Sequence, residues 1–328
     1  MVKSLFSKTL GTIVCGSLAF LGMSATAVAG DYPDRPIRMV VGFNAGGTTD
    51  VLARIFGKGL SEELGQPVVI ENKPGAGSNI ATDIVRRAKG DGYTLLMMAI
   101  TSSINQTLYK NIQFDITKDL TPVALVGKMP NVVVASLDAP FNSIGELVSY
   151  AKQHPEEVVY ASSGKGTSTH LTVEMFMQLA GIKMLHVPFS GSSPALTSLL
   201  AGRSQVMFDN MPASAANIKA GKVKAFAVTT DKRPEAFPEI PTLQELGYPS
   251  FNVSSWFGIM APAGTPQEIR DKINAAIHKI AEKPEVKERL KTLGAEFEPN
   301  TTQEYGEFIK GEVARWADVI KKGNISID

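Results

Sequence analysis

The stretch Val40 to Arg54, VVGFNAGGTTDVLAR, runs from a strand end through a glycine loop into the start of a helix. Ile37 to Val41 is a short apolar run suited to a buried strand, and Val51, Leu52, Ile55, Phe56 and Leu60 then recur at helical spacing. Between them Gly46 and Gly47 permit a sharp turn and close backbone approach, while Thr48, Thr49 and Asp50 are residue types that open helices. The free N–H groups of such a helix end carry partial positive charge and suit a carboxylate or phosphate. A capped β-α turn with no ligand would look the same, so the reading depends on whether the arrangement recurs.

It recurs at Tyr160 to Leu171, YASSGKGTSTHL, where Ser162, Ser163, Thr167 and Ser168 offer hydroxyls, Gly164 and Gly166 allow a tight turn, and a helix follows. Two such loops facing each other across a cleft would grip a small anion at both ends. Lys165 would add positive charge if aimed inward, though a loop lysine is ordinarily solvated.

Around these loops the chain alternates. QPVVIEN (66–72), a glycine turn at 74–77, a helix over about 78–89 and the strand YTLLMMA (93–99) complete a βαβαβ unit with a parallel sheet. Thr101, Ser102 and Ser103 follow at the carboxyl end of that third strand, where ligands collect in such sheets. Residues 121–127 and 131–136 read as two strands separated by Lys128-Met129-Pro130, and a second βα series runs on to about 229, with Ser143 and Glu146 at capping-box spacing. Prolines at 234, 238, 241 and 249 mark an irregular passage with one short helix after Thr242. WFGIMA (256–261) is a returning strand, and 266–281, 284–293 and 302–322 are helical.

Lys3 and Lys8, an apolar run from Leu10 to Met23 and Ala27-Val28-Ala29 make residues 1–29 a signal peptide, too short and too glycine-broken for an anchor. The only cysteine, Cys15, lies inside it, so an exported mature chain folds without disulfides on the strength of its core. Without Lys3 and Lys8 there are 31 basic residues against 32 acidic, a balance that argues against nucleic acid as partner. The four histidines show no metal-ligand spacing, GKGT and GAGSNI are incomplete nucleotide motifs, and no cofactor is expected. Ser163, His170 and Asp209 invite a triad reading, but no G-x-S-x-G surrounds the serine.

The chain resembles the extracytoplasmic solute receptors of tripartite tricarboxylate transporters, the Bug family, from about Tyr32 onward. The likeness rests on VVGFNAGGTTD, ENKPGAGSNIA, GKGTSTHLTVEMF, HVPFSGSSPAL, KAFAVTTDKRPEAFPEIPTLQELGYP and WFGIMAPAGTP, in family order. The resemblance implies an α/β, two-lobed periplasmic binding protein of type II-like form, each lobe a mostly parallel sheet flanked by helices, with residues 30–132 and 257–328 in one lobe and 133–256 in the other. It carries ligand binding onto Phe43, Asn44, Ala45, Gly46, Gly47, Thr48 and Thr49, onto Ser162, Ser163, Gly166, Thr167 and Ser168, and onto Thr101, Ser102 and Asp209, while Phe189 is a candidate on its own account, as a ring that with Phe43 would flank a planar acid. Within the family a proline is usual at the place of Gly42, a small residue at that of Asn44, and a tyrosine and a basic residue at those of Phe189 and Ser190. These departures leave the ligand open among dicarboxylates, tricarboxylates, aromatic acids and acidic amino acids. The expectation is a monomeric periplasmic receptor, not an enzyme, that hands its acid to membrane subunits of a transporter. An exported enzyme on the same fold and a sensor feeding a signalling partner are the alternatives.

Overall fold

In the computed structural model residues 32–323 and 325 are described, and the expected signal peptide, 1–29, lies outside them. Ile37–Val41 forms β1, which runs parallel to β2 (Val68–Asn72) on one side and β3 (Thr94–Ala99) on the other. The connecting helices are α1 (Thr48–Leu64) and, after a 3-10 turn at Ala76–Ser78, α2 (Asn79–Arg86). α3 (Thr101–Leu108) follows β3 at once, a helix whose polar TSSINQ start hides its helical period because Thr101 to Asn105 are all buried.

Next comes β4 (Leu120–Ala135), one strand of 16 residues where two were expected. Pro130 removes a single donor, but the strand continues because its partners change there: residues 120–130 pair antiparallel with β9 (Ser254–Pro262), and residues 131–135 pair with β7 (Val206–Asn210). Where the register slips between Leu125 and Gly127, the Asn300 amide bridges both backbone groups of Leu125 at 3.0 Å each. The remaining elements are α4 (Ile144–Gln153), β5 (Val159–Ser162), α5 (Ser168–Ala180), β6 (Leu185–Pro188), α6 (Ser192–Leu200), α7 (Met211–Lys219), β8 (Lys224–Val228), α8 (Gln267–Glu282), α9 (Pro284–Thr292) and α10 (Thr302–Gly323). The strand order is β2-β1-β3-β9-β4-β7-β5-β6, with β8 also on β4. Among the named strands parallel pairing runs through β2-β1-β3 in one half and β6-β5-β7 in the other, and the crossing strands β4 and β9 enter antiparallel, which makes the sheet as a whole mixed.

The short helix expected after Thr242 is a turn. Thr242 and Glu245 exchange the hydrogen bonds of a capping box, but Gly247 at φ 97° and Pro249 cut the chain before a helical turn can propagate. The C-terminal helix closes the core beside β9: the indoles of Trp256 and Trp316 both donate to the buried Glu312 carboxylate, at 2.7 and 3.2 Å. Among the described residues no helix is long and apolar enough to cross a membrane.

Candidate functional site

Five helices open onto one small cavity of about 20 Å³. Thr48 and Thr49 begin α1, Thr101 begins α3, Ser168 begins α5, Ser192 begins α6, and Asn210 stands at the N-cap of α7; all six line it. They come from both halves of the sheet, at the carboxyl ends of β1, β3, β5, β6 and β7. Phe43, Phe257 and Ala99 supply the apolar wall, Gly47 and Ser163 complete it, and no lining residue is charged. Helix N-termini leave N–H groups unpaired, so the wall carries positive potential without a cation. The Thr48 hydroxyl is buried on this wall with no partner in the protein, a donor held ready for a ligand.

The first loop is shaped by Asp50. Burial opposes its ionisation, but hydrogen bonds from Arg54, the Gly46 N–H and the Asn72 amide outweigh it and hold the carboxyl below its usual range. Asn72 also donates to the Phe43 carbonyl, so the loop is fixed from behind and only its inner edge, Phe43 and Gly47 to Thr49, reaches the cavity. Ala45 and Gly46 lie on its exposed outer side. Asn44 reaches across to the other half of the sheet, its amide donating to the Ser190 hydroxyl at 2.6 Å. There Gly191 allows close approach: its φ is 153°, and a Cβ on it would lie 3.2 Å from the Asn44 nitrogen.

In the second loop Ser163 and Ser168 face the cavity, whereas Ser162 and Thr167 are committed behind it. Ser162 Oγ lies 2.6 Å from His186 Nε2, and Thr167 Oγ1 donates to the Gly164 carbonyl at 2.7 Å. Beneath them Tyr160, His186 and His170 stack, with His170 and His186 ring centres 4.2 Å apart. Burial, followed by the nearby His170, pushes His186 down to about 3, so it stays neutral. Ser163, His170 and Asp209 do not assemble a triad: Ser163 pairs with Thr169, His170 with the Gly166 N–H and Glu174, and Asp209 with Ser192 and Ser214.

Asp209 lies wholly buried under the cavity wall rather than on it. Burial pushes its carboxyl up to about 6 against the lowering effect of hydrogen bonds from the Ser214 and Ser192 hydroxyls and the Asn210 N–H. Ser102 is likewise buried off the wall, its hydroxyl without a partner.

A second, outer chamber of about 340 Å³ shares Phe43 and Ser163 with the first and holds Phe189, Lys165, Tyr109 and the turn 75–78. In that turn Ala76 and Ser78 both take positive φ, 46° and 74°, and the Ser78 hydroxyl is buried without a partner. Ser78 also explains Gly42, since a Cβ there would lie 1.9 Å from its Oγ. At the rim Gly166 and Gly77 meet over Asn105: a Cβ on Gly166 would come within 2.9 Å of Leu108 and 3.0 Å of Asn105.

Reading the chain alone missed Ser192, Asn210 and Phe257 on the inner wall and Ser78 and Tyr109 on the outer one. Ser192 had a signal, since F-S-G-S-S before a helix repeats the glycine and hydroxyl logic of the other two loops. Phe257 had none, being an apolar residue in an apolar strand. A larger groove, of about 700 Å³ between residues 116–122 and 260–310, shares no residue with either chamber.

Comparison with known proteins agrees with this architecture. The chain is similar to a solved structure of the periplasmic binding protein BugD, at 38% identity and TM-score 0.87 over 90% of this chain and 99% of that one. It is also similar to an R. palustris protein solved with adipate, at 36% identity and TM-score 0.87 over 90% and 99% of the two chains. MatC from Rhodopseudomonas palustris, solved with bound malate, is 33% identical at TM-score 0.84 over 88% of this chain and 100% of that one. Residues 52–325 match the model of the tripartite tricarboxylate transporter family receptor, and the chain belongs to that family of solute-binding receptors.

Proposed function

We propose that this receptor captures a small organic acid with a carboxylate in the inner cavity and the rest of the molecule directed to the outer chamber, and delivers it to membrane subunits of its transporter. The observation that carries the reading is the convergence of five helix N-termini and an unpartnered Thr48 hydroxyl on a wall without charge. Such a wall binds an anion by fixed dipoles, and no lysine, histidine or carboxylate stands on it. The carboxylates bound by the adipate and malate structures support the same class of ligand here. We place the hinge where β4 and β9 cross between the halves, near Pro130–Asn131 and Ser254–Trp256, with residues 30–132 and 257–328 moving against 133–256. Export through removal of residues 1–29 places the receptor in the periplasm.

The test is a thermal-shift panel of dicarboxylates, tricarboxylates, aromatic acids and acidic amino acids on the mature chain. A ligand at a hundred times its Kd adds about 2.7 kcal/mol of stability. A panel in which no carboxylate raises the melting temperature would overturn the reading.

A further inference from the structure

The proton positions on one side of the inner cavity restrict what can bind there. Ser192 has a single hydroxyl proton and gives it at 2.7 Å to the Asp209 carboxylate, which also accepts from Ser214 and the Asn210 N–H. What Ser192 turns to the cavity is therefore a lone pair. Asn210 turns its amide nitrogen into the protein, 2.7 Å from both Asn131 Oδ1 and Ser255 Oγ. Asn131 donates in turn to the Thr172 hydroxyl at 3.1 Å. The atom left for the cavity is Asn210 Oδ1, an acceptor.

The wall thus has two kinds of surface. Thr48 and the helix N-termini offer donors, and Ser192 with Asn210 offers acceptors. A bare carboxylate brings only lone pairs, so it satisfies the first surface and is repelled by the second.

We infer that Ser192, oriented by Asp209, and Asn210 select acids that carry an O–H or N–H donor beside the carboxylate: 2-hydroxy or 2-amino acids in preference to the unsubstituted acids of the same skeleton. This rests on the receptor reading and names the ligand class of the same cavity. A site that hydrogen-bonds a substituent discriminates against the analogue lacking it because buried acceptors are then left unpaired.

Calorimetry on the mature chain with matched sets tests it: succinate, malate and aspartate; glutarate, 2-hydroxyglutarate and glutamate; phenylacetate, mandelate and phenylglycine. In any set that binds, the hydroxy or amino member should be at least about tenfold tighter than the plain acid. The two substituted arms distinguish hydroxyl from ammonium. Ser192→Ala should shrink that ratio to below about threefold. Equal or tighter binding of the plain acid in every binding set overturns the inference and leaves the receptor reading intact, as does an unchanged ratio in a folded Ser192→Ala. If Ser192→Ala does not fold, the wild-type ratios decide alone. No binding by any acid overturns both.

Discussion

Thr48 opens α1 and Thr167 is the N-cap of α5 in two similar glycine loops, yet their hydroxyls serve different ends. Thr48 Oγ1 is buried on the cavity wall without a partner, whereas Thr167 Oγ1 holds the Gly164 carbonyl and contacts Thr169. Thr48→Val should therefore weaken acid binding about ten- to a hundredfold while leaving the melting temperature near wild type, because a hydrogen bond to a charged group is worth roughly 1.5–3 kcal/mol. Thr167→Val should lower the melting temperature, since it removes the shortest of the hydrogen bonds to the Gly164 carbonyl. Calorimetry and thermal melts on the pair decide it; normal affinity in Thr48→Val would remove that hydroxyl from the site.

Asp209 and His186 titrate in opposite senses. The Asp209 carboxyl is raised by burial to about 6, so its contribution to stability is full below its unfolded value and fades as pH rises through about 6. His186 is depressed to about 3, so its contribution is present above its unfolded value and is lost as pH falls from about 6.5 toward 3. Between pH 7 and 4.5 the two largely offset. Asp209→Asn leaves His186 unopposed, and urea unfolding should show the variant losing about 2 kcal/mol more than wild type over that interval. Parallel pH curves would show that Asp209 does not carry the shift.

Among elements, loops that join the halves matter as much as those that line the cavity. Gly166 takes φ 77°, where any side chain is strained, and a methyl group there would press on the Leu108 and Asn105 side chains of the facing half. Gly166→Ala should weaken binding at least about tenfold, and small-angle scattering at saturating acid should give it a larger radius of gyration than wild type. An identical radius and affinity would mean that this contact plays no part in enclosing the ligand. The glycine and hydroxyl loops were legible in the sequence because that pattern is local: Thr48, Ser163 and Ser168 stand on the wall. Which hydroxyl turns inward was not, because tertiary partners decide it, His186 for Ser162 and the Gly164 carbonyl for Thr167. Pro130 marked a strand break by local rules, and β9 pairing along one side with β7 beyond it overrode the signal.

For the whole molecule, the fold class followed from βα alternation on both sides of two crossing strands, and the crossings place five helix N-termini around one cavity. No lysine or arginine stands on that inner wall, and Lys165 belongs to the outer chamber. Selectivity then rests on the placement of dipoles and hydroxyls rather than on net charge, which leaves the wall free to combine donors with the acceptors Ser192 and Asn210. The most direct measurement is a crystal structure of the mature chain with the tightest-binding acid of the panel. The account predicts a carboxylate enclosed between the two halves, with oxygens at about 2.6–3.0 Å from Thr48 Oγ1 and from N–H groups at the openings of α1, α5 or α6. A ligand held in the outer chamber by Lys165 alone, or in the groove lined by Arg270 and Lys310, would contradict it.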